Sequence, residues 1–279
     1  MSLNPTGADG RRRRRVGNVK FVGSLLVHPP APLNTPRRSI VARVNGERQL
    51  LGLDEVGDDR ELLDAVSGEA AMIVVDAPLA IPNREGSRDL ERVLAWCDIN
   101  LFPTSIRRVS TLHGGLRGLG LAAQLDARAR EGAWEAAPDQ VLRQLIWEQE
   151  HPAELPPMDL ADYRARWPLV RAPVYRPKAA GRARAQGLDP AWRLVGSVID
   201  LAGWMPASRP DDWRAIADAG RLDALCCAIA GLRAQGIGGR ALRIGTRERG
   251  RIVVPVCANL AERLQITLER MRADHHIAI

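Results

Sequence analysis

Residues 72 to 82 read MIVVDAPLAIP, and the run from Met72 to Val75 constrains the fold more than any other stretch of the chain. It is too short for a helix, β-branched at its centre and apolar at every position, which describes a strand covered on both faces. Such a strand needs one layer above it and one below, so the fold class expected is α/β, a sheet held between helices. The run ends at Asp76, with Pro78 and Pro82 close behind. A carboxylate at the exit of a buried strand is costly unless it has a partner or a task. Asp76 either stands where open α/β sheets bind ligands, beyond the carboxyl ends of their strands, or ties down an Asx-turn or helix cap in the loop that follows.

Three strand segments precede it, VKFVGSLLV (19–27), RSIVARV (38–44) and RQLLGLDEV (48–56), the last two joined by the hairpin signal Asn45-Gly46. DDRELLDAV (58–66) predicts a short helix with an aspartate N-cap. Helices are also predicted over GSRDLERVLAW (86–96, capped by Ser87), LRGLGLAAQLDARARE (116–131), DPAWRLVGSVIDLAGW (189–204) and DDWRAIADAGRLDALCCAIAGLRAQG (211–236). The middle of the last is apolar all round and so belongs in the core. QLIWEQEHP (144–152) predicts a strand ended by Pro152, and residues 153–186, rich in Pro, Arg and Ala, an irregular connector. ALRIG (241–245) and GRIVVPV (250–256) predict two short strands. NLAERLQITLERMRA (259–273) closes the pattern as an amphipathic helix with Leu260, Leu264, Leu268 and Met271 on one face, available to the core or to a homodimer. The organisation expected is a disordered basic tail over 1–17, one domain over 18–257 with a mainly helical insertion at about 83–140, and a C-terminal helix over 258–279.

The net charge is +7, and the excess is arginine, since lysine occurs only at Lys20 and Lys178. Arginine pairs bidentately with phosphate, which suits a nucleic-acid partner; the alternative is an arginine preference of the genome with no partner behind it. The cysteines, Cys97, Cys226, Cys227 and Cys257, show no CxxC spacing, so neither a structural zinc site nor a disulfide scaffold is expected, and a reducing cytoplasm fits. No apolar run reaches the ~18 residues of a membrane span, and no apolar segment follows the basic N-terminal run, so neither membrane insertion nor a signal peptide is expected.

Besides Asp76, three places carry candidate chemistry. Asp223 in RLDALCCAIAGL stands one turn before the apolar centre of its helix. It either faces the sheet and needs a cation, or offsets the helix dipole in a first turn beginning near Arg221. Glu148 and Glu150 in WEQEHP would share one face of a strand, with His151 at its end; such a group holds a divalent ion or decorates a solvated edge. HGGLRG (113–118) lacks the Lys-Ser of a P-loop, which leaves Arg117 as a candidate phosphate contact. Carboxylates gathered from strands and a helix, without a Cys or His cluster, suit Mg2+ or Mn2+, and two such ions clamp the attacking and leaving oxygens of a phosphodiester.

Six segments in order, VVDAPLAIP, GSRDLERVLAWCDINLFPT, LHGGLRGLGLAAQL, IWEQEHP, RLDALCCAIAGLRA and IGTRERGRIVVPV, resemble the domain-of-unknown-function family 429, predicted nucleases of the ribonuclease H-like superfamily. The resemblance spans about residues 19–256. It implies a ribonuclease H-like mixed five-stranded sheet flanked by helices, with acids meeting at the sheet centre. Asp76 matches the acid on the fourth strand, Asp223 the acid on the last core helix, and Arg88 the arginine of the insert helix, placed to face a phosphate. The activity implied is divalent-metal-dependent phosphodiester hydrolysis, with Glu148 or Glu150 as the further acid. Two positions depart from the family: Leu25 replaces the usual first-strand aspartate, and Gln149 the glutamate three residues before the proline. Those departures open the alternative of a non-catalytic relative that binds nucleic acid or a protein.

Overall fold

The computed structural model describes residues 20–25, 39–67, 70–111, 116–152, 158–176, 187–201, 203–204 and 214–273. The basic tail expected over 1–17 lies outside the described residues. Strands β1 (Lys20–Leu25), β2 (Ser39–Val44) and β3 (Leu50–Val56) form an antiparallel meander. The β2–β3 turn is wider than the two-residue turn expected from Asn45-Gly46. The Asn45 carboxamide oxygen accepts from the amides of Glu47 (3.0 Å) and Gln49 (2.9 Å), and the left-handed backbone falls on Arg48 (φ 66°). An Asx-type turn has taken the place of a tight one. Helix α1 (Asp59–Ala65) begins as its sequence asks, the Asp58 carboxylate accepting from the Glu61 amide at 2.7 Å. Strand β4 (Ala70–Val75) then runs parallel to β1, buried along its whole length.

Next come α2 (Asp89–Ala95), α3 (Ile106–Ser110) and α4 (Arg117–Asp126), then β5 (Ala133–Glu135), parallel to β4. The stretch expected as a helical insertion, 83–140, therefore contains a strand of the sheet. Helix α5 (Pro138–Glu150) occupies the place where a strand was expected at 144–152. Proline at its first position starts it, and Val141 and Leu145, one turn apart, are buried together. The connector expected over 153–186 holds α6 (Leu160–Arg166), capped by Asp159, and a 3-10 turn at Trp167–Leu169. Helices α7 (Leu188–Gly196) and α8 (Arg214–Ala234), strands β6 (Arg240–Thr246) and β7 (Gly250–Val256), and helix α9 (Ala258–Ala273) follow among the described residues.

Among the described residues the sheet is mixed, in the order β3-β2-β1-β4-β5-β7-β6, seven strands where five were expected. Its two faces follow the strand period of two. Ile40, Ala42, Val44, Met72, Val74 and Val253 pack with α5, α7 and α8. On the other face Val41, Ile73 and Val75 pack with Leu62 of α1 and Leu121 and Leu125 of α4, while Ile252, Val254 and Val256 pack with α2 and α9. The apolar centre of α8, from Ala224 to Ala230, is fully buried, as an all-round apolar helix must be. Leu260, Leu264 and Met271 of α9 are buried against the chain's own core, with Leu268 partly so. Of the two roles left open for this face, packing on the core is the one it takes. No helix among the described residues is long and apolar enough to cross a membrane.

Candidate functional site

Strands β4 and β5 run in parallel with Val75 beside Glu135, so the residues that follow them emerge at one edge of the sheet. Asp76 follows β4. Asp139 follows β5, in the first turn of α5. Asp223 comes from α8, which lies along β1, β2 and β4. It is more than two turns inside that helix, not in a first turn near Arg221.

One guanidinium joins the three acids. Arg176 Nη2 donates to Asp223 Oδ1 at 2.8 Å and to Asp76 Oδ2 at 3.4 Å, and its Nε donates to Asp223 Oδ2 at 3.2 Å. Its Nη1 lies 3.8 Å from Asp139 Oδ2. The Tyr175 hydroxyl donates to Asp223 Oδ1 as well. The fork on Asp223 is the strong, bidentate form of an arginine–carboxylate pair. Asp223 is 5% exposed and Arg176 44%, so the cluster opens to solvent on the arginine side.

Burial, then the charge of Asp223, pushes the Asp76 carboxyl up to about 7, with Arg176 pulling the other way. Burial also raises Asp223, against the pull of Arg176 and of the hydrogen bonds from Arg176 and Tyr175. Burial opposes the charge on Arg176, but Asp223, Tyr175 and Asp76 outweigh it and hold the guanidinium protonated. Burial drives the Cys226 and Cys227 thiols beneath the cluster well above their ordinary range.

The sign of the Asp76 shift fixes a pH dependence. A folded pKa of about 7 against an ordinary 3.8 means that folding holds a proton on Asp76 between those values, and the stability this adds is lost as pH rises through about 7. Asp76→Asn stays neutral throughout. It is expected to be more stable than the native chain by about 1–2 kcal/mol at pH 8 and by little at pH 4. Urea denaturation at both pH values measures this, and a midpoint at pH 8 no higher than native would contradict it.

The other expected site residues lie elsewhere. Glu148 is on a helix, and Arg233 grips both its oxygens at 2.7 and 2.5 Å. It sits nine residues beyond Asp139 on α5, about 13 Å along the axis, too far to join the acid pair. Glu150, at the exposed end of α5, lines a cleft of about 390 Å³ with His151, Arg166 and Arg171. Arg88 does not face a phosphate. Its guanidinium is buried, donating to Glu135 at 2.8 and 2.7 Å, to Glu91 at 2.8 Å and to the Ala80 carbonyl at 2.9 Å. Arg117 is likewise inside, pairing with Asp59 at 2.5 Å and the Ser39 hydroxyl at 2.8 Å, and it fastens α4 to α1 and β2.

Tyr175, Arg176 and Asp139 were not anticipated. Asp139 carried a readable signal, a Pro-Asp helix start. Tyr175 and Arg176 stand in an arginine-rich connector where nothing local sets them apart.

The acid pair is placed to share a cation, and the cation it shares is Arg176. The register of β1 on β4 puts Ser24 beside Val75, so Leu25, which carries no ligand atom, runs level with Asp76. Among the described residues no three His, Cys, Asp or Glu side chains are grouped to hold a metal ion. As arranged, the side chains do not fit the Mg2+ or Mn2+ that the resemblance implies, since Mg2+ demands near-octahedral oxygen ligands. No family model, curated protein or solved structure matches this chain.

Proposed function

We propose that this chain is a ribonuclease H-like protein that binds nucleic acid without cutting it. The segment β3-β2-β1-β4-β5 of the sheet, with β2 antiparallel to its neighbours and β1, β4 and β5 parallel, supports the fold half of this reading. The observation that carries the rest is the guanidinium of Arg176, bonded to both Asp76 and Asp223. The metal-dependent hydrolysis of a phosphodiester that the resemblance implies needs an activated water and a cation free to meet the developing charge. Here Arg176 already lies between the two carboxylates, and Asp76 holds a proton up to about pH 7, so the site as arranged offers neither. A net charge of +7 concentrated in arginine supplies the attraction for phosphates.

The test is fluorescence anisotropy with labelled single-stranded DNA, duplex DNA and RNA across a salt series in Mg2+ or Mn2+, with the same samples then run on denaturing gels. Binding that weakens steeply with salt, with every oligonucleotide intact, is the expected result. Metal-dependent cleavage that disappears in Asp76→Ala would establish the hydrolase instead. No binding at about 50 mM salt would remove nucleic acid as the partner.

A further inference from the structure

We infer that Arg176 stands in for the metal ion: a guanidinium fixed in the chain occupies the place between Asp76 and Asp223 that a divalent cation would take. The step rests on the ribonuclease H-like reading of the acid pair and is independent of whether nucleic acid binds. Its ground is the disagreement between that reading and the side chains present. The position between the two carboxylates holds a fork that satisfies both oxygens of Asp223 and reaches Asp76. The neighbouring acid, Asp139, leans on the same group. Two neighbours hold the arginine in place. Tyr175, 1% exposed, is locked by its own hydrogen bond to Asp223. Gly187 lies so close beneath Val174 that an added Cβ would come within 2.6–2.7 Å of the Val174 main chain, so the backbone just before Arg176 is closely packed. A planar, permanently charged fork suits the role better than a lysine, whose point charge cannot serve two oxygens in fixed geometry.

Three consequences separate a stand-in cation from an ordinary salt bridge. The native protein has no place for the ion, so its melting temperature is expected to ignore both chelator and millimolar Mn2+, and electron paramagnetic resonance should count all added Mn2+ as free. Arg176→Met leaves the acids without a cation, and its melting temperature is expected to fall by about 5 °C. Millimolar Mn2+ should then restore part of that loss, and the restoration should vanish when Asp223→Asn is added. A native protein that binds Mn2+ and loses it in Asp76→Asn overturns the inference, and so does an Arg176→Met protein that melts like the native one or is unmoved by Mn2+. Should Arg176→Met fail to fold, Arg176→Lys is titrated in its place. Mn2+ must raise its melting temperature more than the native one, and equal shifts overturn the proposal. Loss of oligonucleotide binding would count against the function proposed above while leaving these melting results as they are.

Discussion

Arg88→Met is expected to destabilise the protein by about 3–5 kcal/mol, the cost of leaving a buried charge without its partner. Arg88 is 4% exposed and sits between Glu135 and Glu91, both equally buried. Burial works against its charge, and the two glutamates outweigh burial and keep it protonated. Without the guanidinium, Glu91 still accepts from the amides of Arg88 and Thr104 at 2.9 Å each. Glu135 retains only the Leu79 amide at 2.9 Å, so it bears most of the loss. Adding Glu135→Gln to Arg88→Met removes the stranded charge and keeps an acceptor for that amide, and it should recover more than half of the deficit. Urea denaturation of the two variants decides the point. A cost below about 1 kcal/mol for Arg88→Met would mean that the pair is hydrated rather than sealed.

Gly118→Val should cost about 3 kcal/mol through overpacking. Gly118 lies in α4, and a Cβ built there would come within 2.5 Å of the Pro78 carbonyl and 3.3 Å of the Ala77 Cβ. The helix rides directly on the turn that leaves Asp76, so a side chain must push either the helix off the sheet or the turn toward Arg176. Gly120 gives the control. It lies in the same helix, exposed, with nothing within 4 Å of an added Cβ. Gly120→Ala is expected to stabilise by up to about 1 kcal/mol through helix propensity alone. The two substitutions should therefore shift the unfolding midpoint in opposite directions, and a loss in both would point to helix geometry rather than to the contact with Pro78.

The parts of the fold legible in the sequence are those where one short pattern determines one environment. Met72 to Val75 could only be a doubly covered strand, Asp58 could hardly be anything but a cap, and the centre of α8 was too apolar to meet water. Where local pattern misled, a competing period or a missing length was responsible. Glu-Gln-Glu before a proline imitates strand alternation, yet Pro138 and the one-turn spacing of Val141 and Leu145 made a helix, which moved Glu148 to Arg233. Strand β5 has only three residues and no periodicity to show. The candidate site was half legible. Asp76 announces itself by the buried strand it ends and Asp223 by its apolar surroundings, but the arginine between them comes from a connector separated from either acid by about fifty residues or more, and no spacing rule relates them.

The position of α8 in the chain has a consequence for synthesis. Met72 and Val74 of β4 are covered by a helix made roughly 150 residues later, which at ~5–20 residues per second is an interval of about 8–30 s. Through much of it this apolar face has only α5 and then α7 to cover it. Local hairpins can form early, but the core cannot close until α8 emerges, and strand β7 must still follow to seal the edge of β5. A ribosome that stalls before α8 would leave Met72 and Val74 without the helix that covers them in the folded chain.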